Sequence, residues 1–357
     1  MKKNLHFVLA LTLGLATTVS AQDWSVDSRT RVNSIDDVTM GEQSTSTDQR
    51  VRTSVSFGGD NVSAFVEFNA STTLGFYASP EGKTNFDLQV RQAYATTDLM
   101  GFASLTAGRK SLQFGNGRII GDNDWTNGVG TTFDGLMFAI DNDFADIHIG
   151  YAATDYTQDD VPMYDGTLMY ANIGKSMGEM AFNVLYANAS DDALDMDVTV
   201  MSLDANYNMS NGVVLGLGYY TSDNGVTEND LTSLSAHYSV NDDITVHAGY
   251  DMYGEGGFVP GTWSAFGDLN GSGMEYSTFD FEGTDVSFGG SYKMGDFAVG
   301  LTMHNVTDEA ETIDYNVTDL SVGYTLTDNS SLMLNYATTD RLGNDDNYSW
   351  MSLNIGF

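Results

Sequence analysis

The sequence predicts an all-β fold: a transmembrane, antiparallel, up-and-down barrel of 18 strands, with 16 strands as the alternative count. Three observations lead to this prediction. Short runs of residues alternate between apolar and polar along most of the chain, which indicates strands with two different faces. The connections between these runs alternate between short and long, and aromatic residues stand at both ends of the apolar face.

Residues 1–21 are predicted to be a signal peptide. "MKK" is a basic start, "LHFVLALTLGLATTV" is an apolar core, and "VSA" supplies the small residues that a signal peptidase reads. No run of about 18 apolar residues follows that would span a membrane as a helix. We therefore expect an exported chain whose residues 22–357 form a single barrel domain.

The mature chain is strongly acidic and contains no cysteine. Without Lys2 and Lys3, 12 basic residues stand against 49 acidic ones, a formal net charge of −37. This argues against nucleic acid as a partner, because phosphate binding needs clustered lysine and arginine. The many Gly, Asn, Asp, Thr and Tyr residues, with only three prolines, favour many strands and turns.

The first two runs show the alternation clearly. In "WSVDSRTRVNSI" the apolar Trp24, Val26 and Val32 lie on one face, and Arg29 and Arg31 lie on the other. "RVRTSVSF" behaves in the same way. The other sixteen runs, in order, are "VSAFVEFNA", "FDLQVRQAY", "FASLTAG", "FDGLMFAI", "ADIHIGY", "TLMYANIG", "MAFNVLYA", "VTVMSLDANY", "VVLGLGYY", "LTSLSAHYSV", "DITVHAGY", "DVSFGGSY", "FAVGLTMH", "VTDLSVGYTL", "SLMLNYA" and "WMSLNIGF".

The connections predict how the barrel lies in its membrane. Turns such as "GGDN", "NMSNG" and "KMGD" follow the even-numbered strands, whereas we expect roughly ten to thirty residues after each odd-numbered strand. Spanning barrels have this asymmetry, with both termini on the side of the short turns. The short turns are therefore predicted to be periplasmic and the long loops extracellular.

Aromatic residues on the apolar face separate a spanning barrel from a soluble β-protein, which is the alternative. They are predicted to form two rings, one beside the short turns (Phe57, Tyr94, Tyr207, Tyr238, Tyr292, Tyr324, Phe357) and one beside the long loops (Phe68, Tyr151, Tyr186, Tyr219, Tyr250, Tyr336). Such rings suit the two boundaries of a bilayer. The opposite face, rich in Ser, Thr, Asn, Gly, Asp and Arg, is expected to line water.

Two stretches carry a family resemblance. The final "WMSLNIGF" is similar to the C-terminal strand of bacterial outer-membrane barrels, where it acts as the insertion signal. "GRKSLQFGNGRIIGDNDWTNGVGTTFDG" resembles a segment of the alginate-export family of outer-membrane barrels, which implies an 18-stranded monomeric channel. The resemblance does not carry the substrate over, because beyond residue 120 the only basic residues are Lys175, Lys293 and Arg341, too few to line a path for a polyanion.

The second of these stretches forms the third long loop, near residues 110–131. In general porins, a looser resemblance, this loop folds inward and narrows the channel. Its glycines would allow sharp bends, and an inward fold would place Arg118, Asp122 and Asp124 in the lumen. The alternative is an exposed loop anchored by Trp125.

Five arginines face the same lumen by strand parity: Arg29, Arg31, Arg50, Arg52 and Arg91. The inward acidic positions, apart from Asp27, lie elsewhere: Glu67, Asp87, Asp146, Asp204, Asp251, Asp285 and Asp319. Opposed charges across a water-filled pore would create a transverse field that favours polar solutes. The alternative is that these arginines pair with acidic residues and hold the loop in place.

No enzyme motif is recognisable, so we expect neither catalysis nor a cofactor. His237 and His247 would face each other across the "NDD" turn, but a pair is two ligands short of a zinc site, and we predict no metal site. The acidic loops lack EF-hand spacing and are expected to be solvated, or bridged by divalent cations to lipopolysaccharide.

The sequence therefore predicts a passive outer-membrane channel for small hydrophilic solutes or ions, constricted by the third loop and modestly cation-selective. One alternative is a specific sugar, oligosaccharide or anionic-polysaccharide channel of the alginate-export type. The other is a structural or adhesive barrel. Both a monomer and a homotrimer remain open.

Overall fold

The fold is taken from a computed structural model. It describes residues 22–37, 42–59, 61–74, 86–122, 131–153, 156–158, 161–164, 166–191, 196–258, 279–310, 312–340 and 346–357. The predicted signal peptide, Asp124 and Trp125 lie outside these ranges. Within them, no helix has the length and apolar character needed to cross a bilayer.

Twenty strands make up the described structure. They are β1 (Gln22–Asp37), β2 (Glu42–Gly58), β3 (Val62–Leu74), β4 (Phe86–Leu99), β5 (Ala103–Lys110), β6 (Phe133–Asp141), β7 (Asp146–Ala153), β8 (Tyr156–Gln158), β9 (Val161–Tyr164), β10 (Gly166–Met177), β11 (Met180–Asp191), β12 (Met196–Asn208), β13 (Val213–Asp223), β14 (Glu228–Ser239), β15 (Ile244–Tyr253), β16 (Gly283–Met294), β17 (Phe297–Asp308), β18 (Asp314–Thr327), β19 (Ser330–Thr339) and β20 (Asp346–Gly356).

Eighteen of these strands form one closed antiparallel barrel, while β8 and β9 pair only with each other. The predicted count of 18 is therefore confirmed, and the alternative of 16 is wrong. The barrel closes where β20 pairs with β1, from Asp27 opposite Gly356 to Asp36 opposite Asn347. Val26 and Phe357 complete the seam by exchanging two backbone hydrogen bonds of 2.8 and 3.1 Å.

Several connections after odd-numbered strands are shorter than predicted. Only residues 38–41 separate β1 from β2, and only residues 224–227 separate β13 from β14. The strands continue to pair where loops were expected, so that Asp37 lies opposite Glu42. β2 has 17 residues, well beyond the roughly 9–11 that a tilted strand needs to cross a bilayer. Long connections remain at 75–85, 111–132, 154–165 and 254–282.

The outer face carries the apolar residues. Trp24 is 64% exposed and Val32 is 37% exposed, whereas Arg29 and Arg31 on the same strand are buried. Many of the predicted ring aromatics are at least 38% exposed on this face: Phe68, Tyr151, Tyr186, Tyr207, Tyr219, Tyr238, Tyr250, Tyr292, Tyr336 and Phe357. An apolar outer surface of this kind requires a hydrocarbon environment.

A β-bulge between β3 and β4 overturns the predicted position of Tyr94. Glu67 pairs with Gln92 and Phe68 pairs with Val90, so no residue of β3 lies opposite Arg91 in register. One extra residue reverses the parity of the strand that follows it. Tyr94 therefore points inward and stacks on Phe65, with 5.3 Å between the ring centroids.

The expectation that the inner face is polar throughout is also wrong. A buried apolar cluster lies inside the barrel, towards the long-loop side. The segment 111–122, called here the inner loop, contributes Leu112, Phe114, Ile119 and Ile120 to it. The wall contributes Phe133, Met137, Ala152, Leu168, Tyr170, Leu185, Ala187, Ala189, Val200, Tyr220, Leu231, Tyr253, Val306, Tyr315, Val317 and Ala337, and Phe258 and Phe279 join them. The inner loop and the inward apolar side chains of the wall are therefore buried in one shared cluster.

Candidate functional site in the barrel lumen

The five predicted arginines lie on the inner face of neighbouring strands and are called here the arginine wall. β1 supplies two, β2 supplies two and β4 supplies one, and each is between 3 and 7% exposed: Arg29, Arg31, Arg50, Arg52 and Arg91. Arg29 stands directly opposite Arg50 in the register of β1 and β2. Two positive charges at directly opposite positions repel each other. Together they give this part of the wall a positive potential.

Acidic and amide side chains border the arginine wall. Asp48 accepts hydrogen bonds from Arg31 (3.4 Å), Asn33 (2.6 Å) and Thr73 (2.9 Å). Arg50 donates to Asp27 over 2.9 Å, and the Arg52 Nε donates to Asn69 over 3.1 Å. The long side chains are thereby held in defined positions along the wall.

The inner loop follows β5, is bonded at its start to the bulged strand β4, and turns sharply. The side-chain carbonyl of Gln92 accepts hydrogen bonds from the Ser111 N–H (3.0 Å) and hydroxyl (3.2 Å). The Gly117 N–H donates to the Phe114 carbonyl over 2.9 Å, which closes the turn. Gly115 has a φ of 57° and Gly117 a φ of 82°, a left-handed conformation that glycine adopts without steric cost.

The tip of the inner loop is bound to β12, β13 and β15. Asn116 Nδ2 donates to the Tyr220 hydroxyl over 2.6 Å, and this hydroxyl donates to Asp204 over 2.5 Å. Arg118 donates to Asp251 over 2.9 Å and lies over the Tyr220 ring, 5.5 Å from its centroid. A Cβ added to Gly115 would come within 2.0 Å of the Asp204 carboxylate, so only glycine allows this approach.

The opposite end of the inner loop is bound to the arginine wall. Arg91 donates to both oxygens of Asp122, at 2.6 and 2.5 Å, and to Glu67 at 2.7 Å. β15, which holds Arg118 through Asp251, is the ninth strand around the barrel from β4. Because the barrel has 18 strands, the two attachments lie on opposite walls, and the inner loop crosses the lumen between them.

Arg118 keeps its charge inside the barrel. Burial alone would lower the pKa of its guanidinium, but the Asp251 carboxylate and the nearby Tyr253 and Tyr220 more than offset this, so the pKa is raised. Aromatic packing completes the attachment, since Phe114 lies 5.1 Å from the Tyr170 ring, measured between centroids.

The other predicted polar positions have different environments. Asp204 and Asp285 are buried, and Asp319 accepts a hydrogen bond of 2.9 Å from Asn335. Asp87 and Asp146 are exposed. His237 and His247 face each other with 5.8 Å between ring centroids, yet the described residues contain no group of three or more acidic or histidine side chains that could hold a metal.

Sequence reasoning missed several residues of the site. Lys110 lies over the inward Tyr94 ring, 5.1 Å from its centroid, and extends the positive surface onto β5. Residues 106, 108 and 110 of a strand share one face, so alternation from the inward Thr106 predicts that Lys110 points inward. The prediction was missed because the predicted strand ended at Gly108. Asn116 and Tyr220 are 104 positions apart, and no local pattern indicates that they meet.

The comparison with family models decides the family. The model described as alginate export matches residues 20–246, which is more than half of the chain. The chain belongs to the alginate-export family. A second model, described as Gram-negative porin, matches residues 227–357 of this alginate-export-family barrel. No individual curated protein is significantly similar to it in sequence.

Solved outer-membrane proteins share its fold. OccAB4 of Acinetobacter baumannii is 11% identical, with a TM-score of 0.74 over 95% of this chain and 99% of that one. OccK8 (OprE) of Pseudomonas aeruginosa is 12% identical, with a TM-score of 0.72 over 95% and 98%. OpdK of Pseudomonas aeruginosa, crystallised with vanillate, is 13% identical, with a TM-score of 0.72 over 95% and 99%. At these identities, the likeness concerns the fold.

With porin and alginate-export models matching its sequence, the alginate-export-family barrel is an outer-membrane channel of the Gram-negative type for small solutes. The predicted localisation in the outer membrane is thereby confirmed.

Proposed function

We propose that this channel admits small hydrophilic solutes by passive diffusion and that the inner loop forms its narrowest part. One observation carries the proposal: Arg118 is bound to Asp251 on β15 and Asp122 is bound to Arg91 on β4, on opposite walls. A segment fixed at both ends is unable to swing out of the lumen without losing two ion pairs. Solutes then pass beside the inner loop.

The charges along this passage favour polar solutes. The arginine wall and Lys110 lie on β1, β2, β4 and β5. Across the lumen lie three carboxylates: Asp204 on β12 and Asp285 on β16, which are buried, and Asp251 on β15, which is partly buried. Such an arrangement creates a transverse field, which orders water and disfavours apolar solutes. We therefore propose that the arginine wall, Arg118 and Asp122 line the passage. Asp124 is included from the sequence alone, because it lies outside the described residues.

We propose that the barrel acts as a channel and not as an enzyme; its match to a model of Gram-negative porins supports the channel role. Its acidic extracellular loops are proposed to contact lipopolysaccharide through divalent cations. A monomer and a homotrimer are both compatible with the proposal, because the outer face is apolar around the barrel.

Conductance in planar bilayers tests the proposal. Deletion of residues 117–128 removes Arg118 and Asp122 together, so the conductance step should increase and liposomes should swell faster in sugars. Arg109→Gln is the matched control, since Arg109 pairs with Asp134 on the outer face. An unchanged step after the deletion would place the constriction elsewhere. Wild-type protein that neither conducts ions nor admits sugars would favour the structural or adhesive barrel.

A further inference from the structure

Trp350 is an aromatic residue that faces the lumen. On β20, Met351 and Leu353 are exposed on the outer face, whereas Ser352 is buried on the inner face. Successive residues of a strand point to opposite faces, so Trp350 lies on the inner face with Ser352. Trp350 is partly exposed, so part of this residue is accessible.

Amide side chains flank Trp350 on both sides. Asn33 of β1 and Asn335 of β19 are its directly opposite partners in the sheet. Asn33 Nδ2 donates to Asp48 over 2.6 Å and to Ser46 over 3.3 Å. These bonds fix the orientation of the Asn33 side-chain amide. Its carbonyl oxygen points away from Asp48 and Ser46.

The second amide is oriented in the same way. Asn335 is 5% exposed, and its Nδ2 donates to Asp319 over 2.9 Å. On each neighbouring strand, the residue opposite Trp350 is therefore an amide that is bonded to a carboxylate, Asp48 for Asn33 and Asp319 for Asn335.

Trp350 lies between an apolar and a polar part of the inner face of β20. One inward position closer to the long loops, Tyr348 packs against the buried apolar cluster. One inward position closer to the short turns, Ser352 lies opposite Arg31, and the wall is polar. Along β20, the inner face changes from apolar to polar at Trp350.

An aromatic face flanked by amides and carboxylates has the chemistry that binds a sugar ring. The apolar C–H face of a pyranose can lie on the indole, and the oxygens of amides and carboxylates accept hydrogen bonds from hydroxyl groups. Among the described residues, Arg31 lies one inward position away and is paired with Asp48 at 3.4 Å, and Asp48 and Asp319 would repel an anion. The ligand that suits these groups is neutral.

We propose that Trp350, with Asn33 and Asn335, forms a binding site for a neutral pyranose sugar on the wall of the channel. This inference rests on the proposed function, because the sugar reaches the site through the passage beside the inner loop. It names a solute class for that passage.

Current recordings with maltose as the probe test the site. Maltose should reduce the single-channel current of the wild-type protein in a saturable way. Trp350→Ala should raise the half-saturating concentration of maltose by about tenfold, since stacking on an aromatic ring contributes that much to affinity. Trp24→Ala is the matched control, because Trp24 is 64% exposed on the outer face; it should leave the maltose effect unchanged.

Three outcomes would overturn the proposal. The first is an equal maltose effect in Trp350→Ala and wild-type channels that both conduct. The second is no maltose effect on a wild-type channel that conducts ions, which leaves the proposed channel function intact. The third is tighter binding of glucuronate or benzoate than of maltose, which would assign the site to an anion. If Trp350→Ala does not assemble, two other variants test the site. Trp350→Phe should retain most of the maltose effect, whereas Asn335→Ala should weaken it. Equal maltose effects in these two variants would contradict the proposal.

Discussion

At the scale of single residues, Gly115 decides how closely the inner loop approaches the barrel wall. Its left-handed backbone and its missing side chain both matter, because the Asp204 carboxylate occupies the place where a Cβ would lie. Asp204 in turn accepts a hydrogen bond from Tyr220, which holds Asn116. One methyl group at position 115 would therefore disturb the whole attachment of the loop tip.

Gly115→Ala should loosen the inner loop. The substitution combines a left-handed backbone with a 2.0 Å clash, so we expect a changed conductance step with larger current fluctuations. Gly178→Ala separates the two effects, because Gly178 has a similar φ of 60° and no atom within 4 Å of the added Cβ. Both variants carry a backbone cost on the order of 1 kcal/mol. Single-channel recordings that show equal behaviour in the two variants would contradict the close approach.

Asp122 and Arg91 should control the ion preference in opposite directions. Asp122→Asn removes a negative charge beside the arginine wall, so the reversal potential should shift towards anion selectivity, and the double variant with Asp124→Asn should shift it further. Arg91→Gln leaves Glu67 and Asp122 without their shared cation and should shift the potential towards cations. Reversal potentials in a salt gradient measure both shifts. Arg109→Gln, on the outer face, should leave the potential where it is.

At the scale of elements, a bulge and a seam position the site. The bulge at Arg91 turns both Arg91 and Gln92 inward, so that one strand holds both ends of the inner loop, through Asp122 and Ser111. The seam between β1 and β20 keeps the arginine wall inside a closed barrel, since β1 carries two of its members. Closure also leaves the described 18-stranded sheet without an unpaired edge.

Deletion of Phe357 should reduce barrel assembly. The deletion removes both backbone hydrogen bonds to Val26 at the seam, together with an aromatic ring that is 76% exposed on the outer face. Export to the periplasm should continue, because the predicted signal peptide is untouched. The amount of heat-modifiable barrel in the outer membrane, compared with the periplasmic fraction, is the measurement. A normal amount of folded barrel would show that this terminal residue is dispensable.

At the scale of the whole molecule, the lumen is asymmetric. Charged residues of the arginine wall occupy β1, β2 and β4, while the apolar cluster covers the inner face from β6 to β19 on the long-loop side. The inner loop belongs to both regions, because it contributes buried apolar residues to the cluster while its Asp122 meets Arg91 (the buried residues are Leu112, Phe114, Ile119 and Ile120). The passage that we propose therefore runs beside the charged wall.

Ionic strength should change the selectivity of the pore. If the surplus carboxylates make the channel modestly cation-selective at low salt, the preference should weaken at about 1 M salt, where the screening length falls to roughly 3 Å. Reversal potentials measured at the same gradient ratio but different absolute concentrations test this. A preference that is independent of salt would indicate selection by pore width instead of charge.

The orientation of the barrel in the membrane is testable with cysteine labelling, because the chain contains no native cysteine. Ser210→Cys lies in a short turn and Glu255→Cys lies in the connection between β15 and β16. On intact cells, a membrane-impermeant maleimide should label the second variant and spare the first. Permeabilised cells, in which both should react, provide the control, and the reverse pattern on intact cells would invert the predicted topology.

The number of strands, the faces of most of them and the class of barrel could all be predicted from the amino-acid sequence. Alternation, turn residues and aromatic positions are local properties, since each follows from the pleat of one strand and from the solvent on its two sides. The positions of Arg29, Arg31, Arg50 and Arg52 on the inner face follow from this parity alone.

The contacts of the inner loop and the failure of parity on β4 could not be predicted, because both depend on how distant segments pack. Arg118 meets Asp251 across 133 positions of sequence, and a contact between distant residues leaves no periodic trace in either neighbourhood. Tyr94 was misplaced because a single bulge shifts every later side chain by one face. The inward apolar residues were overlooked for a related reason: a strand shows that a side chain points inward, but burial depends on whether another segment fills the space in front of it.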